Sequence, residues 1–189
     1  MKVRIVKDNL LMQFQERFDI LFIEPEFGFK ADEQLITMVV ASLAHEHFSE
    51  PSEPILDIDL VSRGIIFIQE GQVSMSHVSS KHPIVKLLEG SYFGDVSYMF
   101  KLLNRFNYIG VQPTKERDKA CKFYSLNDKY IADIFKRFPD FENVFRVRAL
   151  RRHHYFRRLR HQNNDVKDIK VKKTWQAGLK SAGGFNFLK

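Results

Sequence analysis

The chain has 189 residues, 44% of them hydrophobic and 13% aromatic, with 18 Phe: enough apolar bulk for one domain with a buried core and helical appendages. Its single cysteine, Cys121, excludes an internal disulfide, no apolar run approaches the roughly 18 residues of a membrane helix, and Met1–Asp8 is too charged for a signal peptide. Residues 142–189 hold 13 Lys or Arg against three acids, and the rest 17 against 20, so the basic end is either a solvated Arg-rich face or a contact for lipid headgroups, nucleic acid or an acidic protein surface.

In chain order, Val3, Val6, Leu10, Phe14, Phe18 and Leu21 recur at helical spacing on one face, and Pro25 and Gly28 break the helix. A second helix from Asp32 carries Leu35, Ile36, Val39, Val40 and Leu43, with Asp32 and Glu33 suited to its first turn. The prolines of 49–54 end helical pattern. Leu56, Ile58 and Leu60 then alternate with Asp57 and Asp59, which predicts a half-buried strand. Ile65–Ile68 reads as a buried strand, Glu70-Gly71 as a turn, and Val73, Met75 and His77 as a further alternating strand. Short strands follow at Ile84–Leu88, Tyr108–Val111 and Ala120–Leu126, together a small barrel or jelly roll. Helices return at Asp128–Phe138 and, with Phe141, Phe145, Ala149, Phe156 and Leu159 on one side, up to about His161. Residues 162–189 show weak periodicity and are expected to form a flexible basic tail.

Gly90-Ser91-Tyr92-Phe93-Gly94-Asp95, with Arg105 ten residues after the acid, carries the clearest chemistry. Glycines let the backbone approach a ligand; the acid offers a hydroxyl acceptor and the arginine a fork for a phosphate. The segment resembles the phosphate-binding cassette of cyclic-nucleotide-binding domains. The resemblance extends over about 1–160 through Phe67-Ile68-Gln69-Glu70-Gly71, Phe123-Tyr124-Ser125-Leu126, Tyr130 and Phe138-Pro139. It is nearest to the C-terminal regions of hyperpolarisation-activated and ether-à-go-go-like cation channels.

That resemblance implies an α+β fold: linker-type helices over 1–47, a β-roll over 48–126 with its cassette at 90–107, C-terminal lid helices over 127–161, and the tail. It implies cAMP or cGMP as ligand and no other cofactor, with Gly90, Phe93, Gly94, Asp95, Arg105 and Asn107 as ligand-binding residues. Asp95 replaces the family's ribose-binding Glu and is one methylene shorter. Arg105 stands at the phosphate position, followed by Phe106 where a small residue is usual; Asn107 offers an amide to a shifted loop. The glycines serve the turn with or without ligand, Phe93 serves equally as a core plug, and Arg105 could instead bridge to Asp95 inside an empty roll. Seven arginines (146, 148, 151, 152, 157, 158 and 160) crowd the last helix, which in the family closes over the base when ligand binds. Most of them are expected to face water, lipid or a partner.

The implied function is a regulatory domain of a voltage-gated or cyclic-nucleotide-gated cation channel, expected to be potassium-selective, on the cytoplasmic face of a membrane. Its partners there would be the pore domain or other subunits and anionic lipid, with no nucleic acid. The alternative is a free-standing sensor or adaptor of the kinase-regulatory-subunit type. A cupin-like metal enzyme using His45, His47, His77 and His82 is disfavoured, because His45-x-His47 reads as a helix end and no ligand signature accompanies it. No catalytic or metal residues are assigned.

Overall fold

The structure, a computed structural model, describes residues 12–47, 53–79, 83–111, 121–162 and 167–169. Helical residues 12–17 (α1) and Asp19–Phe22 (α2) run to a small hairpin, Ile23–Glu24 (β1) and Phe29–Lys30 (β2), joined by the 3-10 turn Pro25–Phe27. The expected first helix is thus interrupted at Phe18, though Phe14, Phe18 and Leu21 are buried as its stripe required; Val3, Val6 and Leu10 lie outside the described residues. Helix α3 (Glu33–Ala41) is capped by Asp32, whose Oδ1 accepts the Leu35 amide at 2.8 Å.

Two four-stranded sheets form the roll. One has the order β3 (Ala44–His47), β9 (Lys122–Asn127), β4 (Gly64–Glu70), β7 (Tyr92–Phe93). The other runs β10 (Lys167–Ile169), β6 (Pro83–Leu88), β5 (Gln72–His77), β8 (Phe106–Gly110). All pairs are antiparallel except β10 with β6. Helix α4 (Asp95–Phe100) follows β7, and α5 (Asp128–Arg137) and α6 (Pro139–Gln162) lie between β9 and β10 in the chain. Pro139 begins α6, where its missing amide costs nothing.

Three expectations are corrected. Ala44–His47 is a strand paired to β9, so the roll begins before residue 48 and His45-x-His47 is not a helix end. Residues 56–60 are not a strand: Asp59 takes φ 60°, and Asn104, 4% exposed, binds the carbonyls of Asp57, Leu60 and Phe106. The alternation there reflects a knot of turns tied to the loop before β8. In the tail, 167–169 pair with β6; the rest of 163–189 lies outside the described residues, as does His82.

The apolar run Ile65–Ile68 is continuous because both faces of β4 are covered. Ile65 and Phe67 join a core shared with α1–α3, α5 and the start of α6, while Ile66 and Ile68 face the roll interior. Tyr92 and Phe93 divide the same way, Tyr92 to the helical core and Phe93 to the interior. Helix α6 bridges the two: Phe141, Phe145 and Ala149 belong to the first core, Phe156 and Leu159 to the second. Position 152 falls at the junction.

Candidate functional site

Gly90 and Gly94 both take positive φ, 80° and 89°. The Gly90 amide bonds the Ile68 carbonyl, returning the chain to β4 for the two residues of β7. Gly94 caps α4, and a Cβ there would meet the Gly64 carbonyl at 2.8 Å. The turn therefore places Asp95 at the head of a short helix pressed against the roll. Ser97 and Ser62 fix the other side: the Ser62 amide donates to Ser97 Oγ, which itself donates to the Leu102 carbonyl.

Asp95 is 2% exposed and its partner is Arg152 of α6. Arg152 Nη1 donates to Asp95 Oδ1 at 3.0 Å and to the Tyr92 carbonyl at 2.6 Å. The guanidinium lies over the Tyr92 ring, 3.6 Å from its centroid. Asp95 Oδ2 is buried without a hydrogen bond of good geometry. Burial pushes the Asp95 carboxyl above its ordinary range, against the pull of Arg152 and of the Val96 and Asp95 amides. Burial likewise raises the Tyr92 and Tyr108 phenols, so both stay protonated.

The arrangement corrects the bridge considered between Arg105 and Asp95. Arg105 instead pairs with Asp59 at 2.6 Å, the two side chains 54% and 59% exposed. Phe93 plugs the interior, stacked on Tyr108 with centroids 4.5 Å apart. Phe106 packs on Phe156 of α6, on Tyr108 and on His77. Asn107 sits in the regular strand β8, opposite Ser76, rather than in a shifted loop. Of the six sequence-named residues, the structure gathers Gly90, Phe93, Gly94 and Asp95 and leaves Arg105 on the surface.

The arginine-rich helix is also more internal than expected. Arg148 pairs with Glu24 at 2.8 Å, each side chain 10% exposed, and reaches the Ile23 carbonyl. Arg151 bonds Glu26 and lies over Phe27; Arg146 bonds Glu142. Arg157 and Arg158 are exposed. A cleft of about 560 Å³ lies between β2 and the α5–α6 elbow, lined by Phe29, Lys30, Leu35, Arg137, Phe138 and Phe141 among others, and includes no cassette residue. Among the described residues no group of three or more His, Cys, Asp or Glu could hold a metal ion, and no helix is long and apolar enough to cross a membrane.

No protein-family model matches this chain, and no curated protein matches it. Solved structures do. The regulatory domain of Toxoplasma gondii PKA, crystallised with cAMP, is similar with a TM-score of 0.56 and 17% identity, over 77% of this chain and 50% of that one. This chain thus spans half the length of that structure. The likeness establishes the fold, a cyclic-nucleotide-binding-type β-roll with flanking helices, and lends nothing to the channel relation.

Proposed function

We propose that the protein is a non-catalytic regulatory domain responsive to a cyclic nucleotide, cAMP or cGMP, whose signal is the position of α6 on the roll. The observation that carries this reading is Asp95: a buried carboxylate on a glycine-turned cassette, held directly by the lid helix. A carboxylate there accepts ribose hydroxyls, and its engagement with α6 ties ligand occupancy to lid position. The similar PKA regulatory domain was crystallised with cAMP, which favours a host of the kinase-regulatory kind.

A channel host is the second reading. It is favoured by the ion pair Arg148–Glu24, which fastens the lid to the hairpin following the N-terminal helices, the route by which a pore domain would feel the roll. In that setting the exposed Arg157 and Arg158 would face anionic lipid at the cytoplasmic surface.

Calorimetric titration with cAMP and with cGMP tests the reading, with Arg105→Glu as control. Saturable heat that weakens in the control supports it. A folded chain giving no heat with either nucleotide sinks it, and leaves a self-filled scaffold.

A further inference from the structure

We infer that the cleft between the β1–β2 hairpin and the α5–α6 elbow is a second ligand site, for a small carboxylate with an apolar body. None of its lining residues belongs to the cassette, so it stands or falls independently of nucleotide binding.

The cleft's volume of about 560 Å³ lies within the roughly 300–1,000 Å³ of small-ligand sites. Its floor is apolar because it is the edge of the helical core. Phe141 and Val144 are buried there, and Phe29 stacks on Phe141 with centroids 6.1 Å apart. Phe138 leaves helical geometry at φ −128° and ψ 72°, so the chain bends between α5 and α6 beside this space. An open apolar concavity rimmed by polar groups marks a binding groove.

The rim selects the class of ligand. Lys30 of β2 and Arg137 in the last turn of α5 are both exposed. Among the described residues neither has an acidic partner. The two acids on the rim are engaged elsewhere. Asp32 Oδ1 caps α3 by accepting the Leu35 amide at 2.8 Å, and Asp140 lies in the first turn of α6, where unpaired amides favour negative charge. The two cations left over come from different walls, one from the hairpin and one from the elbow. A carboxylate can accept from both in charge-assisted hydrogen bonds while its apolar body covers Phe29 and Phe138. A cationic ligand would meet two like charges, and a neutral one would use neither. Occupancy therefore ties the hairpin to the elbow from which α6 starts.

The experiment uses the full chain and decanoate as probe, with 1-decanol and decyltrimethylammonium as its neutral and cationic counterparts. Calorimetry compares the wild type, the double variant Lys30→Gln with Arg137→Gln, and Val147→Trp, which fills the cleft from a half-buried lining position. The expected result is saturable decanoate binding that weakens about tenfold or more in the double variant, through loss of the charge-assisted bonds, and disappears in Val147→Trp. Hydrogen exchange over 133–147 should slow when decanoate is added to the wild type. The double variant changes exposed side chains only, so it carries the test if Val147→Trp does not fold. No saturable binding, binding equally tight for decanol or the ammonium, or binding unchanged in the double variant or in folded Val147→Trp overturns the site. So does sedimentation of the ligand-free chain as a dimer that Val147→Trp splits, which would mean that a second copy fills the cleft.

Discussion

The cassette's two ends make two arginine–aspartate pairs of opposite setting. Arg105–Asp59 is the shorter, at 2.6 Å, and more than half of each side chain is exposed. Arg152–Asp95 is 3.0 Å long and almost fully buried. Length ranks them one way and energetics the other. In water an exposed pair gains little, because solvent screens it and two long side chains must be held still. A buried pair has cost both ions their hydration, so losing one partner strands the other. The acidic end of this cassette is therefore held by a pair that is costly to break, and its basic end by one that is cheap to break.

Arg152→Ala tests the buried pair most severely. It leaves the Asp95 carboxylate unpaired beneath α6, and a loss of about 3–5 kcal/mol is expected in urea or thermal unfolding. Combining Arg152→Met with Asp95→Leu removes both charges at once and should recover most of that loss, because an apolar replacement of a buried pair is often neutral. A single variant as stable as the wild type would mean that α6 is undocked in solution.

Gly94→Ala strikes the turn that presents Asp95. The residue sits at φ 89°, and the new Cβ would meet the backbone carbonyl oxygen of Gly64 at 2.8 Å. A cost of about 1–3 kcal/mol is expected from the strained conformation, read as a lowered unfolding midpoint. Unlike Arg152→Ala, this loss should not be rescued by Asp95→Leu, since its origin is steric.

These positions also show what the sequence could and could not reveal. The roll and its flanking helices were legible, because β4, β5, β6 and β9 carry patterned apolar residues between turns and α6 carries its stripe. The alternation at 56–60 misled, since period two records which side chains alternate and not whether a neighbouring strand exists. The glycines and Asp95 were legible as a cassette. The partner of Asp95 was not, although a signal existed: Phe145, Ala149, Phe156 and Leu159 leave a gap at the spacing where 152 falls, so the inner stripe itself pointed to Arg152. Composition hid it, because seven arginines in one helix read as a solvated face. Arg148 was concealed in the same way, its partner Glu24 lying 124 positions earlier.

Arg105→Ala is the smallest expected effect on stability and the sharpest on function. The pair it breaks is exposed, so the change in unfolding free energy should stay within about 1 kcal/mol. Asp59 is held at φ 60° by its amide bond to the Asn104 carbonyl, independently of Arg105, so the knot of turns survives the substitution. If Arg105 swings to a nucleotide phosphate, its loss removes a charge-assisted contact and should weaken cAMP binding by about 1.5–3 kcal/mol. If it never leaves the surface, affinity and stability are both unchanged. Measured beside Arg152→Ala, which should lower stability, the variant separates the two ends of the cassette: the buried pair is read in the unfolding transition, the exposed one in nucleotide affinity.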